Sequence, residues 1–140
     1  MSRLLVALQF VLIAGIVARV DLARFGPAGV ALLALGLVLG LWTITANRPG
    51  NFNIRPEPKQ GGHLVVHGPY RWIRHPMYGA VLLAMIAFAL GGDALQWGLW
   101  TALLCVLVAK AAREERFLAL AYPAYADYRS RTRAIVPFLL

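Results

Sequence analysis

The stretch His67-Gly68-Pro69-Tyr70-Arg71-Trp72-Ile73-Arg74-His75-Pro76-Met77-Tyr78 sets guanidinium, imidazole and aromatic groups between two long apolar runs. Such groups bind anions and cations and stack on flat rings, which a plain connector between helices has no need to do. A second set follows later in the chain: the adjacent carboxylates Glu114 and Glu115, then Tyr122, Tyr125 and Tyr128 at three-residue steps. On a short helix the tyrosines form one aromatic stripe, suited either to resting at a membrane interface or to closing over a planar or cationic ligand. Neighbouring glutamates on a helix point about 100° apart, so only one of them can face fully inward. Lys110 and Glu114 also stand four residues apart, the spacing of an ordinary and weak exposed ion pair.

These groups must be carried by elements that sit in lipid. Hydrophobic residues make up 60% of the chain and charged residues 14%, far from the usual soluble balance. Four apolar runs, residues 4–20, 27–46, 77–90 and 94–109, are candidates for spans that need about 20 apolar residues each. The third is long enough only if its helix starts near His75 and runs to Gly91, which leaves its polar foot at headgroup level. Pro76 fits such a start, since proline is tolerated in the first helical turn. The fourth run contains neither glycine nor proline from Leu99 to Tyr122, so its helix can continue past Ala109. At 1.5 Å per residue, Glu114 and Glu115 then lie about 7 Å beyond Lys110, level with His75. The expected fold is an all-α membrane protein of about four helices, near residues 4–20, 27–46, 76–91 and 94–121, in a single domain. Residues 1–20 also have the outline of a cleaved signal peptide, but Arg19 and a second apolar run follow at once, so a retained helix is expected.

Charge gives the orientation. With four spans, 12 of the 14 basic residues fall on the side that holds the N-terminus, residues 47–76 and everything after Ala109, and only Arg19 and Arg24 fall on the other. The positive-inside rule then places both termini and the chemically rich loop in the cytoplasm. Topology and attraction to anionic headgroups account for the net charge of +8, and nucleic-acid binding is not expected. Cys105 lies within the fourth run and reads as a small apolar side chain, not part of a disulfide framework. His63 and His67 are four apart, yet Gly61, Gly62, Gly68 and Pro69 argue against the helix that would let them share a metal, so no metal is expected. The segment from Asn47 through Gly62 has turn and extended-chain chemistry. Leu64-Val65-Val66 reads as a strand-like piece that could offer backbone groups to a ligand.

The motifs Gly62-x-Leu64, Gly68-Pro69-Tyr70, Arg74-His75-Pro76-x-Tyr78 and Glu114-Glu115-x-x-Leu118, followed by Tyr122 and two further tyrosines, occur in one order beside membrane helices. Over roughly residues 51–137 the chain resembles the isoprenylcysteine carboxyl methyltransferase and phosphatidylethanolamine methyltransferase group of integral membrane methyltransferases. It departs from that pattern at Tyr122-Pro123-Ala124-Tyr125-Ala126-Asp127-Tyr128, where the group often has Phe-Gly-x-x-Tyr-x-x-Tyr. It also shows no counterpart of the extra N-terminal helices of eukaryotic prenylcysteine enzymes, which argues against a prenylated-protein acceptor. Membrane sterol reductases share a similar arginine, histidine and double-glutamate pattern, so an NADPH-dependent reductase is an alternative, as is a non-catalytic small membrane protein.

The resemblance implies S-adenosylmethionine as cofactor and a lipid or other hydrophobic acceptor bearing a carboxylate or an amine. It implies Arg74, His75 and Glu115 as the catalytic group. Arg74 or His75 would take the amino-acid end of the cofactor, and Glu115 with Glu114 the ribose or the ammonium. Leu64, Val65, Val66 and Gly68 would make backbone contacts around the adenine, and Tyr78 with a tail tyrosine, Tyr125, would line the sulfonium side. His67, Tyr70 and Pro76 complete the expected pocket. Methyl transfer from a sulfonium is an in-line displacement, so alignment and exclusion of water matter more than acid or base. The acceptor is expected from the bilayer, between the third and fourth helices. Arg129 or Arg131 could position a carboxylate acceptor, and His67 or a glutamate could take the proton of an amine.

Overall fold

A computed structural model describes residues 2–47 and 63–136. The expected turn chemistry of 48–62, with Gly62 of the first motif and the basic residues Arg48, Arg55 and Lys59, lies outside the described residues. Five α-helices follow in order: α1 Ser2–Ala18, α2 Pro27–Ala46, α3 Pro76–Ala89, α4 Ala94–Ala121 and α5 Tyr125–Arg131, with single 3-10 turns at Leu22–Arg24 and Gly68–Arg71. Residues 63–66 belong to no strand. The sole β feature among the described residues is an isolated parallel bridge between Ile73 and Arg133.

Starts and stops follow from local chemistry. Pro27 and Pro76 open α2 and α3, where a missing amide hydrogen costs nothing. Asp93 caps α4 by accepting from the Gln96 amide at 2.9 Å. Its carboxylate also meets Arg19 at 2.6 Å, which joins the end of α1 to the start of α4. α4 runs unbroken for 28 residues, in keeping with the absence of helix breakers in its sequence.

Two helices, α2 and α4, are long and apolar enough to cross a membrane, while α1 and α3 are apolar but shorter, at 17 and 14 residues. Val30, Leu37, Val38, Leu41 and Ile44 of α2 are each more than half exposed. A continuous apolar face of this kind is a liability in water and natural in lipid.

α2 packs along α3, α1 packs along α4, and α3 and α4 close the bundle. The α2–α3 seam is built on small residues. A Cβ at Gly36 would stand 2.9 Å from the Ala80 carbonyl oxygen and 3.0 Å from the Ala84 nitrogen, so only glycine allows the backbones this close. The apolar core joins Ile16, Leu82, Met85, Leu103, Leu107, Ala111 and, from the tail, Ile135. At the end of the bundle away from the glutamates, buried Gln96 donates to the carbonyls of Ile16 at 3.0 Å and Phe88 at 3.3 Å. That leaves the glutamate end of α4 facing the foot of α3.

Candidate functional site

The backbone of the loop before α3 and of the returning tail sets the directions of the side chains. Gly68 takes a left-handed φ of +60°, which glycine adopts without strain. A Cβ there would meet that of Ala46 at 2.7 Å, so the turn lies hard against the end of α2. The turn carries Tyr70 to Asn47, whose side-chain amide donates to the phenol oxygen at 3.4 Å. Burial, partly opposed by that hydrogen bond, pushes the Tyr70 phenol up to about 12. Trp72 of the same loop rests near Trp42, ring centroids 5.7 Å apart.

The chain after α5 then returns beside this loop. The amides of Arg74 and His75 donate to the carbonyls of Arg133 and Ala134 at 2.8 Å each, and the Arg133 amide donates to the Trp72 carbonyl at 3.0 Å. The Tyr128 hydroxyl donates to the Tyr70 carbonyl at 2.7 Å. Tail and loop are thus stitched together, and this fixes the direction in which Arg74 and His75 project.

Their side chains converge on α4. Arg74 Nε donates to Glu115 Oε1 at 2.7 Å, and its Nη1 reaches the main-chain oxygens of Thr132 and Arg129. His75 lies between the two carboxylates, with Nε2 3.3 Å from Glu115 Oε1 and Nδ1 3.5 Å from Glu114 Oε2. Tyr78 stacks on His75, rings nearly parallel at 5.2 Å, and donates its hydroxyl to Glu114 Oε2 at 3.0 Å. Arg129 of α5 adds a third cationic contact to Glu115, at 3.3 Å. The adjacent glutamates divide as helix geometry requires: Glu115 is buried and Glu114 sits on the flank, yet both reach His75.

Electrostatics follow from this packing. Burial works against a charged His75, but Glu114 and Glu115, one at each ring nitrogen, outweigh it and raise the histidine above its ordinary 6.5. A group raised on folding contributes its full stabilisation below its unfolded value and loses it as pH climbs through the folded value. Thermal stability in detergent should therefore decline as pH rises above 6.5, and His75→Gln should flatten the decline. A wild-type melting profile that is flat from about pH 6 to 9 would contradict this assignment.

Beside the cluster lies a cavity of about 210 Å³, lined at its polar end by Arg74, Glu115 and Arg129 and elsewhere by Val108, Ala111, Ala112, Ala134 and Ile135. It lies between α4 and the returning tail. Tyr125 is 1% exposed, and its buried hydroxyl has no hydrogen-bond partner among the described residues. Burial and the nearby Glu115 charge push that phenol well above its usual range. A buried donor left unmatched is costly, so it marks a place where another molecule can complete the site.

Arg74, His75, Tyr78, Glu114 and Glu115 are thus brought together, with Tyr125 and Tyr70 at the edge and Pro76 buried at the foot of α3. Residues 64–68 are placed differently. Val65 is buried and Leu64 partly so, Val66 and His67 face outward, and Gly68 packs on Trp42 and Ala46 of α2. The tyrosine stripe is split as well: Tyr125 and Tyr128 are buried on α5 with rings 6.0 Å apart, while Tyr122 ends α4. Lys110 departs furthest from expectation. Instead of forming an exposed pair with Glu114 it is 1% exposed, hydrogen-bonded to Gln9 of α1. Sequence reasoning also missed the part of Thr132 and Arg133 in holding Arg74, since main-chain acceptors leave no mark on residue type.

The sequence model of a family described as phospholipid methyltransferase matches residues 26–125. The chain belongs to that family. The match takes in α2, α3, α4 and every side chain of the cluster up to Tyr125, and it stops short of Arg129 and Thr132. The chain is 36% identical over 83 residues to the cobalt-zinc-cadmium resistance protein CzcN of Cupriavidus metallidurans, an alignment covering 58% of this chain and 38% of that protein. The chain therefore spans well under half the length of that relative. No solved structure matches it. Methyl transfer is the chemistry that the family's description names, and the two long apolar helices agree with a membrane location. Among the described residues no group of three or more histidine, cysteine or acidic side chains could hold a metal ion.

Proposed function

We propose that this protein transfers a methyl group from S-adenosylmethionine to a hydrophobic acceptor held in the membrane, the acceptor bearing an amine or a carboxylate. The observation that carries the reading is the knot of Arg74, His75, Glu114 and Glu115 with the unmatched hydroxyl of Tyr125 beside it. That donor set fits the cofactor: carboxylates for ribose or ammonium, guanidinium for carboxylate, a phenol still in want of a partner. Glu115 already accepts from Arg74 and His75, so Glu114, with 27% of its side chain exposed, is the better placed of the two to receive a ribose or an ammonium. Arg129, with 61% of its side chain exposed, is the more displaceable of the cations on Glu115 and can turn toward a cofactor carboxylate.

When bound, the cofactor supplies an electrophilic methyl on a sulfonium, and no protein nucleophile is needed. The residues align donor and acceptor and keep water out. For an amine acceptor, Glu114 is a suitable proton acceptor, exposed enough to pass the proton on. The wider proposal has four spans, both termini and the site cytoplasmic, and acceptor arriving from the lipid, supported by the 12-to-2 division of basic residues.

Titration of the purified protein in detergent tests the reading. S-adenosylhomocysteine should bind and NADPH should not; the reverse would favour the reductase alternative, and binding of neither a non-catalytic role. Tyr125→Phe should weaken S-adenosylhomocysteine binding about threefold to tenfold, the worth of one hydrogen bond, with the melting temperature unchanged or raised. Unchanged affinity would remove Tyr125 from the contact set.

A further inference from the structure

Lys110 lies outside the machinery described above, yet it is only 1% exposed. It stands on α4 beside the core residue Ala111 and one turn from Leu107, and its side chain reaches α1 at Gln9. An ammonium in such surroundings is expensive unless it is matched. Its matches are specific. The Nζ donates to the side-chain oxygen of Gln9, itself buried, and stands 5.2 Å from the centroid of the Tyr78 ring. Tyr78 in turn stacks on His75 and donates to Glu114 Oε2. Lys110 is one helical turn from Glu114, yet its side chain goes to α1 and to the tyrosine.

We propose that Lys110 is a positioning residue of the methyl-transfer site, holding Tyr78 from beneath so that its hydroxyl aims Glu114 at the cofactor. Gln9 anchors the ammonium, the ammonium holds the ring by a cation–π contact, and the ring fixes the carboxylate through one hydrogen bond. A cation–π contact is worth more when desolvated, as here. Through this chain α1 becomes part of what orients the site. The inference rests on the reading of the site as a cofactor pocket.

The test is S-adenosylhomocysteine binding by calorimetry to the full chain in detergent. Lys110→Met and Tyr78→Phe should each weaken binding about threefold to tenfold, the range for changes along a coupled network. The double variant should bind no more weakly than the poorer single one, because both act through one carboxylate. Lys110→Met should melt at or above the wild-type temperature, since replacing a buried ion by an apolar chain of similar volume is often stabilising. Gln9→Leu, which leaves the lysine in place and frees it, should weaken binding in the same direction and provides the answer if Lys110→Met does not fold. Wild-type affinity in Lys110→Met or, failing that variant, in Gln9→Leu overturns the proposal, as does full multiplication of the two single effects. If the wild type itself binds no S-adenosylhomocysteine, the cofactor reading fails and takes this inference with it, an outcome distinct from binding that is indifferent to Lys110.

Discussion

Glu115→Gln should both abolish S-adenosylhomocysteine binding and loosen the tail, and the second effect is the more telling. On volume alone this near-isosteric substitution would spare the fold. The geometry says otherwise, because Glu115 accepts from Arg74 at 2.7 Å, from His75 at 3.3 Å and from Arg129 at 3.3 Å. The Arg74 and Glu115 side chains are only 9% and 8% exposed. Removing one partner of a buried pair leaves the other charge uncompensated, at about 3–5 kcal/mol. The mostly exposed Arg129 adds little to that figure. A glutamine keeps one acceptor oxygen, so the lower end of the range applies. Arg74 also holds the main chain of Thr132 and Arg129, so its release should expose the tail. Trypsin cleavage after Arg129, Arg131 and Arg133 should accelerate along with the fall in melting temperature. Tail protection equal to wild type in Glu115→Gln would mean that this carboxylate is not the hub.

Gly36→Ala should destabilise the protein by about 1–3 kcal/mol, the usual cost of overpacking, although alanine favours helix over glycine by about 1 kcal/mol. The new methyl would stand 2.9 Å from the Ala80 carbonyl oxygen and 3.0 Å from the Ala84 nitrogen. Both are backbone atoms of α3 and neither can turn aside, so the two helices must part. Gly40→Ala is the matching control. Its Cβ would lie 3.7 Å from that of Ala80, an ordinary contact, so helix propensity alone should act and the variant should be neutral or more stable. Thermal unfolding of the two variants in one detergent decides the matter. Equal shifts would mean that the α2–α3 seam is looser than described. Because α3 carries His75 at its foot, Gly36→Ala should also weaken ligand binding.

Much of this was legible in residue type and spacing. The apolar runs anticipated the helices, with α2 and α4 found over 27–46 and 94–121 and α1 and α3 ending at Ala18 and Ala89, each two residues short of the outline. The helix rise placed Glu114 and Glu115 near the level of His75, where they are found. What failed to show is what depends on direction. Lys110 four residues before Glu114 has the spacing of a surface pair, and only the position of α1 against α4 reveals that it faces Gln9 inside the bundle. The packing of Gly68 against the end of α2, where a Cβ would meet that of Ala46, has no signature in the sequence either. The alignment of 133–134 with 74–75 is carried by amides and carbonyls that every residue has. Arg129, Arg131 and Arg133 are alike in sequence, and only the packing of α5 against α4 decides that Arg129 reaches Glu115.

The pairing of residues 72–75 with 133–134 has a consequence for how the molecule is made. A chain leaves the ribosome from its N-terminus, and domains fold in that order as synthesis proceeds. Arg74 and His75 emerge some sixty residues before the carbonyls that orient them, and Glu115 emerges before Arg129. Throughout that interval α1 to α3 can insert and pack, but the polar cluster has no frame. The site should therefore be inert toward its ligand until residues 129–134 are out, becoming competent in a single late event of assembly.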